Sequence, residues 1–182
     1  MVFFVLTALP CRAAESYFSL FTGSWSPNQT STVNIKSQPV TESYSVGRSF
    51  GGAIGLSYNN GIRLENEVTY RKTSATDVKD DMQIMADMVN FWFGGFGGQR
   101  ISPYLGGGLG IARVHVSSPG PVNNTGFGVA YQAGGGFEFL LPDDLSLDLC
   151  YRYVGVSDPS KHYLSGINVN GSSLTAGWRL KF

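Results

Sequence analysis

The chain of 182 residues carries two histidines, His115 and His162, and two cysteines, Cys11 and Cys150. A zinc-type site needs three or four such ligands at close, patterned spacing, and these four are scattered. An activated nucleophile needs a base and an orienting acid beside it, and neither histidine has that company in the sequence. Both read as loop or interface histidines, and Cys150 reads as inert packing. Asp77, Asp80 and Asp81 cluster in one connection and read as a solvated acidic loop rather than a cation or lipopolysaccharide-bridging site. The glycine run Gly106 to Gly110 is followed by no helical pattern, so it is not a phosphate-binding loop. Glycine there lets strands curve and approach closely. No catalytic residue, metal or cofactor is expected.

What remains is charge in a regular pattern. In GIRLENEVTYRK, Gly61 to Lys72, apolar or aromatic side chains stand at Ile62, Leu64, Val68 and Tyr70, and polar or charged ones at Arg63, Glu65, Glu67, Thr69 and Arg71. Successive side chains of a strand point to opposite faces, so a period of two describes a strand between two environments and excludes an amphipathic helix.

Those charges must be positioned by an all-β scaffold. Eight extended segments alternate with turn residues: 17–26, 46–58, 62–72, 82–96, 103–116, 127–141, 145–156 and 167–182. Each is near the roughly 9 to 11 residues that a tilted strand needs to cross a bilayer. The connections after the second, fourth and sixth segments are short: Asn59-Asn60-Gly61, Gly97 to Ser102, and Pro142-Asp143-Asp144. The others, Pro27 to Tyr44, Thr73 to Asp81, Ser117 to Gly126 and Ser157 to Gly166, are longer and rich in Ser, Thr, Asn and Pro. Strict alternation of short and long connections predicts an eight-stranded antiparallel up-and-down transmembrane β-barrel, with short periplasmic turns and long extracellular loops.

Composition agrees with a membrane wall. Charged residues make up 14% of the chain, against about 25% in soluble domains. The 24 glycines and 13% aromatics suit curved strands with aromatic girdles. A formal net charge of zero with no basic run excludes a nucleic-acid partner. The N-terminal MVFFVLTALPCRAAES carries an apolar stretch followed by Cys11-Arg12-Ala13, which predicts a secretory signal over residues 1–13 and a barrel domain over 14–182. The basic segment that usually opens a signal is missing, so the start reads as truncated.

Alternation alone does not say which face is inside, since soluble barrels invert the pattern. The apolar faces end in aromatics, Tyr70, Tyr153, Trp178 and Phe182, as membrane interfaces require. The polar faces carry near-balanced charge: Arg63, Arg71, Arg152, Arg179 and Lys181 against Glu65, Glu67, Glu138 and Asp148. These nine are expected to point into a narrow lumen and pair there. They serve either as structural filling or as the lining of a small ion-conducting pore.

The segments FGGAIGLSYNNGIRLENEVTYRK, MADMVNFWF, ISPYLGGGLGIARV and GFGVAYQAGGGFEFLLPDDLSLDLCYRY, with the ending LTAGWRLKF, resemble the opacity-protein and major-surface-antigen superfamily of eight-stranded outer-membrane barrels. The resemblance spans about Phe50 to Phe182 and is weakest in the loops. It implies the outer membrane of a Gram-negative bacterium, outer-membrane lipid or lipopolysaccharide around the wall, and loops that bind host receptors or present antigen in some members. Trp178, Leu180 and the terminal Phe182 are similar to the signal read by the barrel-assembly machinery. No periplasmic peptidoglycan-binding domain of the OmpA type is expected after the last strand. Lipid A deacylases share the fold and carry a His-x-Ser pair after an Arg-Tyr. Here Arg152-Tyr153-Val154-Gly155-Val156-Ser157 has Gly155 in the histidine's place, so an enzyme is not expected. A surface antigen or adhesin, a structural envelope protein and a small pore all remain open at this point.

Overall fold

Alternating apolar and polar side chains favour strands, and strands leave edges that only closure removes. The computed structural model describes residues 14–28, 32–35, 38–41, 45–74, 81–94, 99–117, 123–157 and 168–182. The expected signal segment lies outside them. The strands are β1 Ala14–Pro27, β2 Thr32–Ile35, β3 Gln38–Thr41, β4 Gly47–Tyr58, β5 Ile62–Ser74, β6 Asp81–Gly94, β7 Ile101–Ser117, β8 Asn123–Leu140, β9 Leu145–Ser157 and β10 Asn168–Lys181.

Eight of them form the barrel in the order β1-β4-β5-β6-β7-β8-β9-β10, closed by antiparallel pairing of β1 with β10 from Tyr17↔Lys181 to Pro27↔Gly171. The remaining two form a hairpin inside the first long connection, where the sequence predicted only loop. Its backbone joins the wall at Thr32↔Asn168, so this element is fixed to the top of β10.

Two of the short turns follow from residue type. Gly61 adopts φ 80° and donates to the Tyr58 carbonyl at 3.1 Å, while Asn60 Oδ1 accepts from the Ile62 amide at 3.2 Å. At the turn between β8 and β9, Asp143 and Asp144 are both left-handed, with φ 62° and 57°, a geometry that short polar side chains tolerate.

The outer face is apolar: Ile54, Val89, Leu105, Leu109, Ile111, Phe137 and Leu174 are all exposed. In a soluble protein such a band would be an aggregation site, whereas in a bilayer it faces lipid. Above it stand exposed Arg48, Lys72 and Arg113. Lys72 pairs with Asp81 at 2.8 Å on the extracellular side.

Candidate functional site

The inward positions of the strands build two stacked layers. The layer near the short turns is polar. From β5, Arg63, Glu65 and Glu67 point inward, and Glu67 is fully buried. Arg63 Nη1 donates to Glu138 Oε2 at 3.0 Å. Arg179 closes a chain of four charges: its Nη2 donates to Asp148 Oδ2 at 3.0 Å, and its Nη1 lies 2.9 Å from Glu138 Oε1, an ion pair without hydrogen-bond alignment. Arg152 Nη1 donates to Glu67 Oε2.

Neutral groups complete the carboxylates' shells. Glu65 accepts from Tyr17 Oη at 2.7 Å, Trp92 Nε1 at 2.7 Å and Asn90 Nδ2 at 3.1 Å. Glu67 also accepts from Asn90 Nδ2 at 3.0 Å and Gln132 Nε2 at 3.4 Å, and Asp148 accepts from Tyr104 Oη at 2.6 Å. Guanidinium planes lie over aromatic rings, Arg63 over Tyr104 at 4.3 Å and Arg179 over Tyr17 at 5.0 Å. A carboxylate in a dry interior is tolerable only when its lone pairs are filled this way. The space left among Ser19, Arg63, Glu65, Tyr104 and Arg179 is about 10 Å³, roughly enough for a single water.

Glycines make room for these side chains. A Cβ on Gly108 would lie 1.9 Å from Asn90 Oδ1 and 2.6 Å from the Val89 carbonyl oxygen, and one on Gly136 would lie 2.8 Å from Tyr104 Oη. The inward glycines of β7 and β8 thus clear space for the opposing polar residues as well as letting the wall curve.

The layer toward the long loops holds an apolar cluster beside buried Thr69, Arg71 and Thr73. Trp25, Met82, Ile84, Ala86, Met88, Val114, Val116, Val156 and Val169 are buried in one cluster. At this level the outward faces of β6 and β7 mix Met85, Val89 and Ile111 with Gln83, Asp87, Arg113 and His115, while their inward faces are apolar. That is why their sequences show no clean alternation. Arg71 sits at this height, opposite Ile84, and donates to Thr69 Oγ1 at 3.0 Å.

The other predicted residues lie elsewhere. Lys181 is at the periplasmic rim, half exposed and 3.3 Å from Glu15, apart from the buried charges. Trp178, Leu180 and Phe182 are exposed on the lipid-facing wall at the closing strand, and the Phe182 amide donates to the Ser16 carbonyl at 2.9 Å. Cys150 is buried, with Arg152 Nε donating to its Sγ at 3.3 Å. His115 bonds Thr125 at 2.9 Å, and His162, Asp77 and Asp80 lie outside the described residues. Gly155 is on the outer wall, where a Cβ would lie 2.2 Å from the Tyr131 ring. Tyr17, Asn90, Trp92, Tyr104 and Gln132 were missed from sequence. Their parity with Glu65 and Glu67 across the ladder was the available signal, and it needed the strand register to be seen.

The model of the outer membrane protein beta-barrel domain matches residues 2–182. The chain belongs to that family. It is therefore an outer-membrane protein that crosses the bilayer repeatedly with strands, in agreement with the fold expected from the sequence. Among curated members, outer membrane protein PagN of Salmonella typhimurium is 27% identical over 152 residues, covering 63% of this chain and 62% of PagN. Among solved structures, Neisserial surface protein A superposes with a TM-score of 0.64 at 18% identity, covering 93% of this chain and 99% of that one. Ail of Yersinia pestis, solved with the heparin analogue sucrose octasulfate, superposes with a TM-score of 0.51 at 19% identity over 92% of this chain and 99% of Ail. The outer membrane enzyme PagL shares the fold at a TM-score of 0.53 and 14% identity, over 87% of this chain and 97% of PagL.

Proposed function

We propose that this family member is a non-enzymatic surface-binding protein: a filled barrel that carries its outer loops above the membrane for adhesion or host contact. The observation that carries this is the filled interior. A polar layer with room for about one water lies beneath an apolar cluster that shares its level with buried Thr69, Arg71 and Thr73, and this filling weighs against an ion-conducting pore. With the lumen occupied, recognition falls to the loops, as is usual on rigid scaffolds. The backbone of the β2–β3 hairpin pairs with β10 at Thr32 and extends the wall into the first loop. The heparin analogue in the Ail structure supports a sulfated-glycan target.

The absence of a side chain at Gly155, packed under Tyr131, argues against deacylase chemistry on the outer wall. Arg48 and Arg113, exposed above the apolar band, suit the anionic groups of lipopolysaccharide. The test is replacement of residues 29–44 by a short Gly-Ser link in the expressed protein. Attachment of bacteria to host cells is expected to fall to background while the barrel stays folded, as judged by different gel mobility before and after boiling. Unchanged attachment overturns the assignment.

A further inference from the structure

Two polar residues stand on the lipid-facing wall in the middle of apolar neighbours. Asn66 Nδ2 donates to Asp87 Oδ1 at 2.7 Å and also approaches the Met88 carbonyl at 3.5 Å. Asn66 lies between Leu64 and Val68 along β5 and opposite Ile54 and Val89, while Asp87 lies between Met85 and Val89 along β6 and opposite Val68 and Ile111. Asp87 is exposed, as are Ile54, Val68, Met85, Val89 and Ile111. A carboxyl group on the outer face of a membrane barrel is destabilising, and an ionisable residue at such a position marks a functional site by default.

Beside the pair runs a groove of about 630 Å³, floored by Gly51 and Gly52, with Phe18 and Leu20 on one side, Tyr70 and Met85 on the other, and Asn66 on its border. The hollow follows from sequence: outward positions of β4 alternate Phe50, Gly52, Ile54, and the missing side chain leaves a gap. Its volume is within the range of small-ligand sites. Phe50 and Tyr70 meet as tilted rings with centroids 5.2 Å apart and mark the outer aromatic belt, with Tyr70 paired to Met85. Asp87 is two residues further along β6, about 6–7 Å deeper along the strand.

We propose that this groove binds one outer-leaflet lipid acyl chain, and that the Asp87 carboxyl, oriented by Asn66, accepts a hydrogen bond from a hydroxyl or amide donor on that lipid close to its headgroup. The depth below the aromatic belt is where such donors lie, and a plain hydrocarbon chain would leave the carboxyl with Asn66 as its sole donor among the described residues of this wall. A slender chain fills a concave groove. A second copy of the barrel would present a convex wall and leave it empty.

The test uses the full-length protein purified from outer membranes and exchanged into vesicles holding equal amounts of two phosphatidylcholines, one with 3-hydroxyacyl chains and one with unsubstituted chains of the same length. Native mass spectrometry of the released protein is expected to show about fivefold preference for the hydroxylated lipid, the effect of one hydrogen bond at membrane depth. Asp87→Leu and Asn66→Leu should each bring the ratio to about one. Both substitutions suit a lipid-facing wall, and boiled and unboiled gel mobility verifies the fold. Met85→Trp, which narrows the groove from its rim, should lower retention of both lipids. No preference in the unaltered protein, a preference that survives Asp87→Leu, or a dimer cross-linked through this wall with no lipid retained would each overturn the proposal.

Discussion

Glu67→Gln isolates the energetics of the barrel interior. The Glu67 side chain has no exposed surface and faces the Arg152 guanidinium, itself buried, so the substitution leaves a cation in the interior without its carboxylate. Removing one partner of a buried pair costs about 3–5 kcal/mol. Asn90 and Arg152 both donate to Oε2 and can still use an amide oxygen placed there, while the amide NH2 would face only the long 3.4 Å approach of Gln132, which places the expected loss near the lower end, about 3 kcal/mol. With a urea dependence of about 2 kcal/mol per molar, the unfolding midpoint should fall by roughly 1.5 M. The assay is a urea titration of the barrel in phospholipid vesicles, followed by tryptophan fluorescence and checked for reversibility by refolding. Trp92 sits over Arg152 at 5.3 Å and reports on the site directly. Arg152→Met should be comparably costly alone. The double variant Glu67→Gln with Arg152→Met should recover to within about 1 kcal/mol of the unaltered protein, since replacing both members of a buried pair is nearly neutral. A midpoint shift of Glu67→Gln below about 0.5 M, or a double variant showing the sum of the two single losses, would refute the view that these charges act as a mutually dependent brace.

Three further outcomes are expected. Single-channel recording across planar bilayers should show no discrete steps for the unaltered protein or for Glu65→Gln, because the apolar layer around Trp25 and Met82 remains when the polar layer is loosened; reproducible steps would restore the pore. Gly108→Ala should destabilise the barrel by about 1–3 kcal/mol in the same urea titration, because its Cβ meets the Val89 carbonyl and Asn90 in the interior. Removing Phe182 should reduce assembled protein in cells while leaving refolding into vesicles at its original rate, if this exposed terminal residue is read by the assembly machinery; equal loss in both settings would mean that it acts through packing.

Much of the wall was determined by local chemistry. The period of two in β5, β9 and β10, the alternation of short and long connections, and the aromatic ends of the apolar faces were all legible because each depends on residues adjacent in sequence. The inward direction of Arg63, Glu65, Glu67, Glu138, Asp148, Arg152 and Arg179 followed from that parity once the outside was taken to be lipid. Their pairing did not. Glu67 and Arg152 are 85 residues apart, and Arg63 and Glu138 are 75 apart, so only closure of β1 onto β10 and the register of every intervening pair decide which charge meets which. Closure also decided that an apolar cluster gathers in the extracellular half of the interior beside Arg71. Met82, Ile84 and Met88 face inward although Met85 and Val89, on the same strand, face lipid beside Gln83 and Asp87, and a strand whose outward face mixes apolar and polar residues carries no clean periodic signal. Lys181 shares the parity of Arg179, yet its position at the rim, beyond the last interior layer, sends it to Glu15 and water. Asn66 and Asp87 look ordinary in the chain. Their placement among lipid-facing side chains exists only because β4, β5, β6 and β7 are brought side by side.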